Sequence, residues 1–255
     1  MSHALYPLPA SVAVTAALLL SGCDGGTTSA EPRPSESRSS SRATTPEPGG
    51  STAPAASEPR TMSGVDGPLE PGRWTMALWS DSEALPQAVV DVPAGYETPG
   101  GGVVYREGES PTGEVSFWTV SEVYADACHD DEPVAVGPSV DDLADALVAQ
   151  AGHHTSRPQP VTLDGHRGLH LQVTWPDQAG LEGCRNSSLR LWRTGTAFYD
   201  SADPRTELTL WVLDVDGTRV VITSSATPDD ALAERAELVG IATSTHFTDP
   251  AEPAA

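Results

Sequence analysis

Apolar residues fall along this chain in three regimes. ASVAVTAALLL (10–20) is an almost unbroken apolar stretch of 11 residues. As a helix it reaches about 16 Å, roughly half of a bilayer's hydrocarbon thickness, which suits a secretory h-region better than a membrane span. Residues 24–60 then contain no Val, Ile, Leu, Met or aromatic side chain. Nothing in that tract offsets the entropy of ordering it, so it reads as a disordered Ser/Thr/Pro/Gly-rich linker. Patterned sequence returns from Trp74 to about Phe247.

Within the patterned region, QAVVDV (87–92) reads as a strand closed by Pro93-Ala94-Gly95. GGVVY and EVSFWTV (114–120) follow, and in the latter Val115, Phe117 and Thr119 face away from Ser116, Trp118 and Val120. SVDDLADALVAQAG (139–152) predicts a helix with a Ser139–Asp142 capping box, an apolar face of Val140, Leu143, Leu147 and Ala151, and a stop at Gly152. VTLDGHRGLHLQVTW (161–175) and ELTLWVLDVDGTRVVITSSA (207–226) predict hairpins that turn at Asp164-Gly165 and Asp216-Gly217. Thr227-Pro228-Asp229-Asp230 reads as the opening of a last helix running to about Ser244. The class these elements predict is α+β, a mostly antiparallel sheet flanked by two main helices.

Charge narrows the functions available. The chain holds 36 acidic residues against 14 basic ones, and every basic one is arginine. Without lysine there is no Schiff-base or pyridoxal-phosphate chemistry and no phosphate-loop lysine. Residues 61–255 hold 31 acids and ten arginines, a net of −21. Such a surface repels phosphate backbones and anionic headgroups, so no nucleic-acid partner is expected.

Leu20-Ser21-Gly22-Cys23 resembles the bacterial lipobox. The resemblance implies cleavage before Cys23 and a diacylglyceryl group on its sulfur, anchoring the protein to the extracytoplasmic face of the cell membrane. One departure is the n-region, where residues 1–9 carry no Arg or Lys. The expected organisation is a lipoprotein signal peptide at 1–22, the anchor and linker at 23–73, one α+β domain at 74–248 and a tail at 249–255. Further along, "VDVPAGY", "SFWTVSEVYADAC", "GPSVDDLADALVAQ", "VTLDGHRGLHLQVT" and "LWVLDVDGTRVVITSSATPDDALAERAELVGIATS" resemble a family of uncharacterised secreted and lipid-anchored proteins from high-GC actinobacteria. Their order is also similar to the PsbP-like α/β/α sandwich, a likeness of fold that brings no established chemistry.

With Cys23 lipidated, Cys128 and Cys184 remain, and an even remainder in an exported protein argues for a disulfide. Closing so long a loop stabilises by about 4 kcal/mol at most in the chain-entropy view. The alternative is a metal or redox pair, although no CxxC is present.

Candidate chemistry is sparse. Asp126, His129, Asp130, Asp131 and Glu132 concentrate hard oxygen ligands that suit Ca²⁺, but the run lacks the D-x-D-x-D-G spacing that aims ligands inward, and acidic runs are usually solvated faces. No other cofactor is expected. His166 and His170 lie in a hairpin without an acid partner, and G-x-S-x-G is absent. In SLRLWR (188–193), strand alternation places Trp192 with Arg190, away from Leu189 and Leu191, which predicts an exposed or half-exposed binding tryptophan. The functional expectation is a non-catalytic binding or accessory module of the cell envelope, taking an envelope protein or small ligand. The alternative is an envelope hydrolase using dispersed carboxylates, with or without a metal. A deep pocket holding two acids of raised pKa would point to the enzyme, and an aromatic face to binding.

Overall fold

The computed structural model describes residues 58–80, 82, 85–108, 113–129 and 131–248. The expected signal peptide, lipidation site Cys23, most of the linker and the tail 249–255 lie outside the described residues. The described part begins its regular structure earlier than the expected Trp74. Arg60–Thr61, Asp66–Leu69 and Gly72–Met76 are strands, and Met62 and Leu69 are buried. These strands are short and broken by Gly and Pro, so they show no periodicity of their own.

A nine-stranded sheet forms the centre. Its two longest hairpin strands, Glu207–Val215 and Thr218–Ala226, turn at Asp216-Gly217, where both residues have positive φ. That is the backbone a two-residue hairpin needs to follow the strand twist. The Gln159–Leu163 and His166–Thr174 hairpin turns the same way at Asp164-Gly165. All pairings within this sheet are antiparallel. One end strand, Asp66–Leu69, carries Pro68, which suits an edge because proline has no N–H to donate.

Both faces of the sheet are covered, which explains why its strands are apolar on both sides. Leu208, Leu210, Val212 and Val221 join one core with helix α1 (Val140–Ala149), while Trp211, Leu213, Val215, Val220 and Ile222 join the other. On the first side, Leu143 and Leu147 of α1 are fully buried, each stabilising by about 1.5–3 kcal/mol. A small sheet of Ala197–Ser201, Leu189–Thr194, Glu122–Val123 and Val134–Ala135 shares that core. A short helix, α2 (Gln178–Glu182), is capped by Asp177 and leads into Cys184. On the second side lie helix α3 (Leu232–Thr243) and the sheet of Arg60–Thr61, Gly72–Met76, Gln87–Val92 and His246–Thr248. The class is therefore α+β and mostly antiparallel, with three α-helices among the described residues.

Helix α1 carries the Ser139–Asp142 capping box, but it ends at Ala149, before Gly152. Gly152 instead lies against Cys128, where an added Cβ would meet the Cys128 backbone nitrogen at 3.1 Å. Thr227-Pro228-Asp229-Asp230 also differs from expectation. Thr227 Oγ1 donates to Asp230 and the Asp230 N–H donates back to the Thr227 carbonyl, so the motif closes a separate turn ahead of α3.

Candidate functional site

Where strand Glu114–Trp118 pairs with Thr218–Ala226, the central sheet changes character. On the face that looks toward the small sheet, Trp118 pairs with Val221, Ser116 with Thr223, and Glu114 with Ser225. The face is thus apolar under α1 and polar at its far end. Strand Ala197–Ser201, an edge of the small sheet, lies over that polar end. Between them run two adjoining lobes of about 350 and 380 Å³ that share Glu114, Tyr199 and Asp200. Trp79, Trp118 and Phe198 wall one lobe, and Asp203, Thr206 and Ser225 line the other.

The aromatic wall is preset. Trp79 stacks on Trp118 at 5.5 Å, and Trp118 meets Tyr199 edge-on at 5.8 Å. The Trp79 Nε1–H donates to the Gly102 carbonyl at 3.0 Å, and the Trp118 Nε1–H donates to Ser116 Oγ at 2.8 Å. Ser116 and Thr223 hydroxyls are bonded to each other at 2.6 Å. Trp79 keeps 40% of its surface exposed and Phe198 keeps 43%, so both present ring surface to an incoming molecule.

The carboxylates are unusual in this acidic chain. Burial pushes Glu114 up from 4.5 to about 7. Among the described residues no cation pairs with it. Partial desolvation also raises Asp200, against the pull of Arg190, its cross-strand neighbour. Tyr199 is held far above its usual value, first by burial and then by the Glu114 charge.

No family model matches the chain, and no curated protein matches it. Among solved structures it is similar to the crystal structure of LpqN, involved in cell envelope biogenesis of Mycobacterium tuberculosis, at 13% identity and a TM-score of 0.35. That similarity covers 71% of this chain and 92% of that one. A likeness so slight assigns neither fold family nor function, and the site is argued from its own geometry.

The residues singled out in the sequence take other places. Cys128 and Cys184 form a disulfide that joins the loop after Glu122–Val123 to the segment following α2. Asp126 Oδ1 accepts from the backbone N–H groups of Cys128 and His129, and its Oδ2 faces His129 Nδ1 at 3.1 Å. Asp131 pairs with Arg185, Glu132 is exposed, and Asp130 lies outside the described residues. Asp126, Cys128 and His129 bring potential ligand atoms within 4.8 Å of one another, but the Cys128 sulfur belongs to the disulfide. Asp126 thus clamps the turn beside that bridge.

Trp192 corrects the expectation of an exposed binding tryptophan, because it is fully buried. The register slips between Arg190 and Trp192, leaving Leu191 as the extra residue of a bulge. Leu191 and Trp192 consequently both point inward, and simple alternation fails at that point. Arg190 lies on the outer face, its guanidinium 4.5 Å from the Phe198 ring centre. Glu114 and Asp200 were not singled out in the sequence, and Trp79 stood only as one of six tryptophans able to form an aromatic platform. Their one signal was a glutamate and a serine in EVSFW, on the face that also carries a buried tryptophan.

Proposed function

We propose that this chain is a lipid-anchored cell-envelope protein whose folded part is a non-catalytic binding or accessory module, with the Trp79–Glu114–Asp200 cleft as its ligand site. The observation that carries this reading is the preformed aromatic wall beside a carboxylate with no cation partner among the described residues. It combines the ring surface and the few convergent polar groups typical of small-molecule sites. Anchoring through Cys23 is supported by the lipobox-like LSGC and the apolar-free tract behind it. Among the described residues no helix is long and apolar enough to cross a membrane. We read the helices on either face of the central sheet as a PsbP-like sandwich.

The test is a thermal-melt screen of the full chain against fractionated envelope extract. A ligand at a hundred times its dissociation constant adds about 2.7 kcal/mol, roughly 5–10 °C for a protein of this size. The shift should vanish in Trp79→Ala. A shift that survives Trp79→Ala places the site elsewhere.

A second reading, an envelope hydrolase, is favoured by the two raised carboxyls, Glu114 and Asp200, that share the cleft, since a carboxyl titrating near neutrality suits a general acid. Turnover of an envelope substrate by the wild type, lost in Glu114→Gln, would support it over the binding module.

A further inference from the structure

The cleft restricts the chemistry of its ligand. Every charged side chain lining its two lobes is acidic, namely Glu114, Asp200 and Asp203. The residues 61–255 carry a net charge of −21, so the surrounding field concentrates cations and repels anions. The donors in the wall are already committed within the protein, the Trp79 indole to Gly102 and the Trp118 indole to Ser116. Ser116 and Thr223 satisfy each other, and the Ser225 hydroxyl accepts from the Glu114 backbone N–H. Beside the Tyr199 and Ser225 hydroxyls, which bond to each other, what the cleft offers an incoming molecule is mainly carboxylate oxygens, which accept only, and aromatic faces, which carry negative quadrupole charge.

Resting on the cleft being the ligand site, we infer that its ligand is an organic ammonium ion, with the charged nitrogen beside Glu114 and the hydrocarbon part against Trp79 and Trp118. The nitrogen supplies the donors and the positive charge that Glu114 lacks among the described residues. The rings take the apolar part and add cation–π attraction. A neutral polyol would leave the Glu114 charge uncompensated, and an anion would meet the three carboxylates that line the cleft. Binding also couples to protons, because an ammonium ion holds Glu114 ionised where the free cleft leaves it partly protonated. The titratable groups facing Glu114 are Tyr199, Asp200 and Asp203 across the cleft and Tyr105 on the adjacent strand.

The experiment is calorimetry of the full chain with three probes that share one chain length: n-hexylammonium, 1-hexanol and hexanoate. At about pH 8, where a carboxyl titrating near neutrality is mostly ionised, hexylammonium should bind at least roughly tenfold more tightly than either other probe. Near pH 7 its binding heat should depend on the buffer's ionisation enthalpy, reporting proton release. Glu114→Gln should remove both the preference and the proton release, while Trp79→Ala should weaken the ammonium and the alcohol together. Tighter binding of alcohol or hexanoate, an ammonium affinity unmoved by Glu114→Gln, or no binding of any probe would overturn the ammonium assignment. The binding-module reading is judged separately by the extract screen, where it survives if a Trp79-dependent shift comes from a neutral fraction.

Discussion

Trp79 reaches Trp118 through the backbone as well as through the rings. The Trp79 N–H donates to the Phe117 carbonyl at 2.8 Å, and the Thr119 N–H donates to the Trp79 carbonyl at 2.9 Å. With the indole nitrogen tied to Gly102, the ring is fixed before any ligand arrives. A wall set in advance lowers the ordering cost of binding. The stack therefore separates into a buried member, Trp118, which supports the sheet, and a half-open member, Trp79, which is free to serve recognition.

That division predicts unequal costs. Trp118→Ala removes a side chain that is only 5% exposed and should cost about 3–5 kcal/mol. Trp79→Ala removes one that is 40% exposed and should cost about 1–2 kcal/mol, or roughly 2–8 °C in Tm. Urea denaturation of the two variants checks this. Equal losses would show that Trp79 is a core residue like its partner.

Gly102 holds the Trp79 ring in place. A Cβ there would lie 2.6 Å from the Trp79 ring, so Gly102→Ala must displace the indole. The near-ultraviolet circular dichroism of the tryptophans should change, with a smaller change in stability than Trp118→Ala produces. An unaltered aromatic spectrum would mean that the ring is not held against Gly102.

The hairpins and α1 were legible because each rests on local chemistry. Asp164-Gly165 and Asp216-Gly217 suit the positive φ that the turns require, and Ser139 with Asp142 caps its helix whatever lies around it. Thr227 and Asp230 misled for the same reason, since their mutual bonds are as stable in an isolated turn as at a helix start. Trp192 was misplaced because a bulge is decided by the partner strand, here the Tyr199 pairing, and not by SLRLWR itself. The cleft was out of reach for a larger reason: Trp79, Glu114 and Asp200 come from three segments that meet only when the small sheet packs over the central one.

The Cys128–Cys184 bridge closes a long loop, with a sequence separation of 56, and holds two irregular segments together. Replacing both cysteines with serine should destabilise the protein by up to about 4 kcal/mol in the chain-entropy account. Reductant should lower the wild-type urea midpoint to that of the double variant and leave the variant unmoved. A reductant effect on the double variant would assign the loss to something other than this bridge.

Cys23 tests the anchor independently of the fold. Cys23→Ser should move the protein from the membrane fraction to the medium, while its melting temperature stays at the wild-type value. Retention in the membrane fraction would rule out anchoring through a lipidated Cys23.

Glu114 makes a prediction about pH whose sign is fixed by the direction of its shift. Its folded-state value lies above the unfolded one, at about 7 against 4.5. Between those limits the folded state binds more protons, so unfolding free energy falls as pH rises. The contribution is whole below about pH 4.5, declines through the interval and is lost above about 7. Each unit of difference corresponds to about 1.4 kcal/mol, and partial solvent contact reduces the total to about 2–3 kcal/mol. Asp126, Asp142 and Asp164 act oppositely, because their values are lowered and their stabilisation is lost on acidification. The measurement is therefore the difference between wild type and Glu114→Gln in urea midpoint across this pH range. Glutamine cannot ionise, so the variant should gain on the wild type as pH rises, with the gain levelling off above neutrality. A difference that stays flat with pH would mean that Glu114 remains solvated, and the cleft would lose the buried carboxyl on which its ligand chemistry depends.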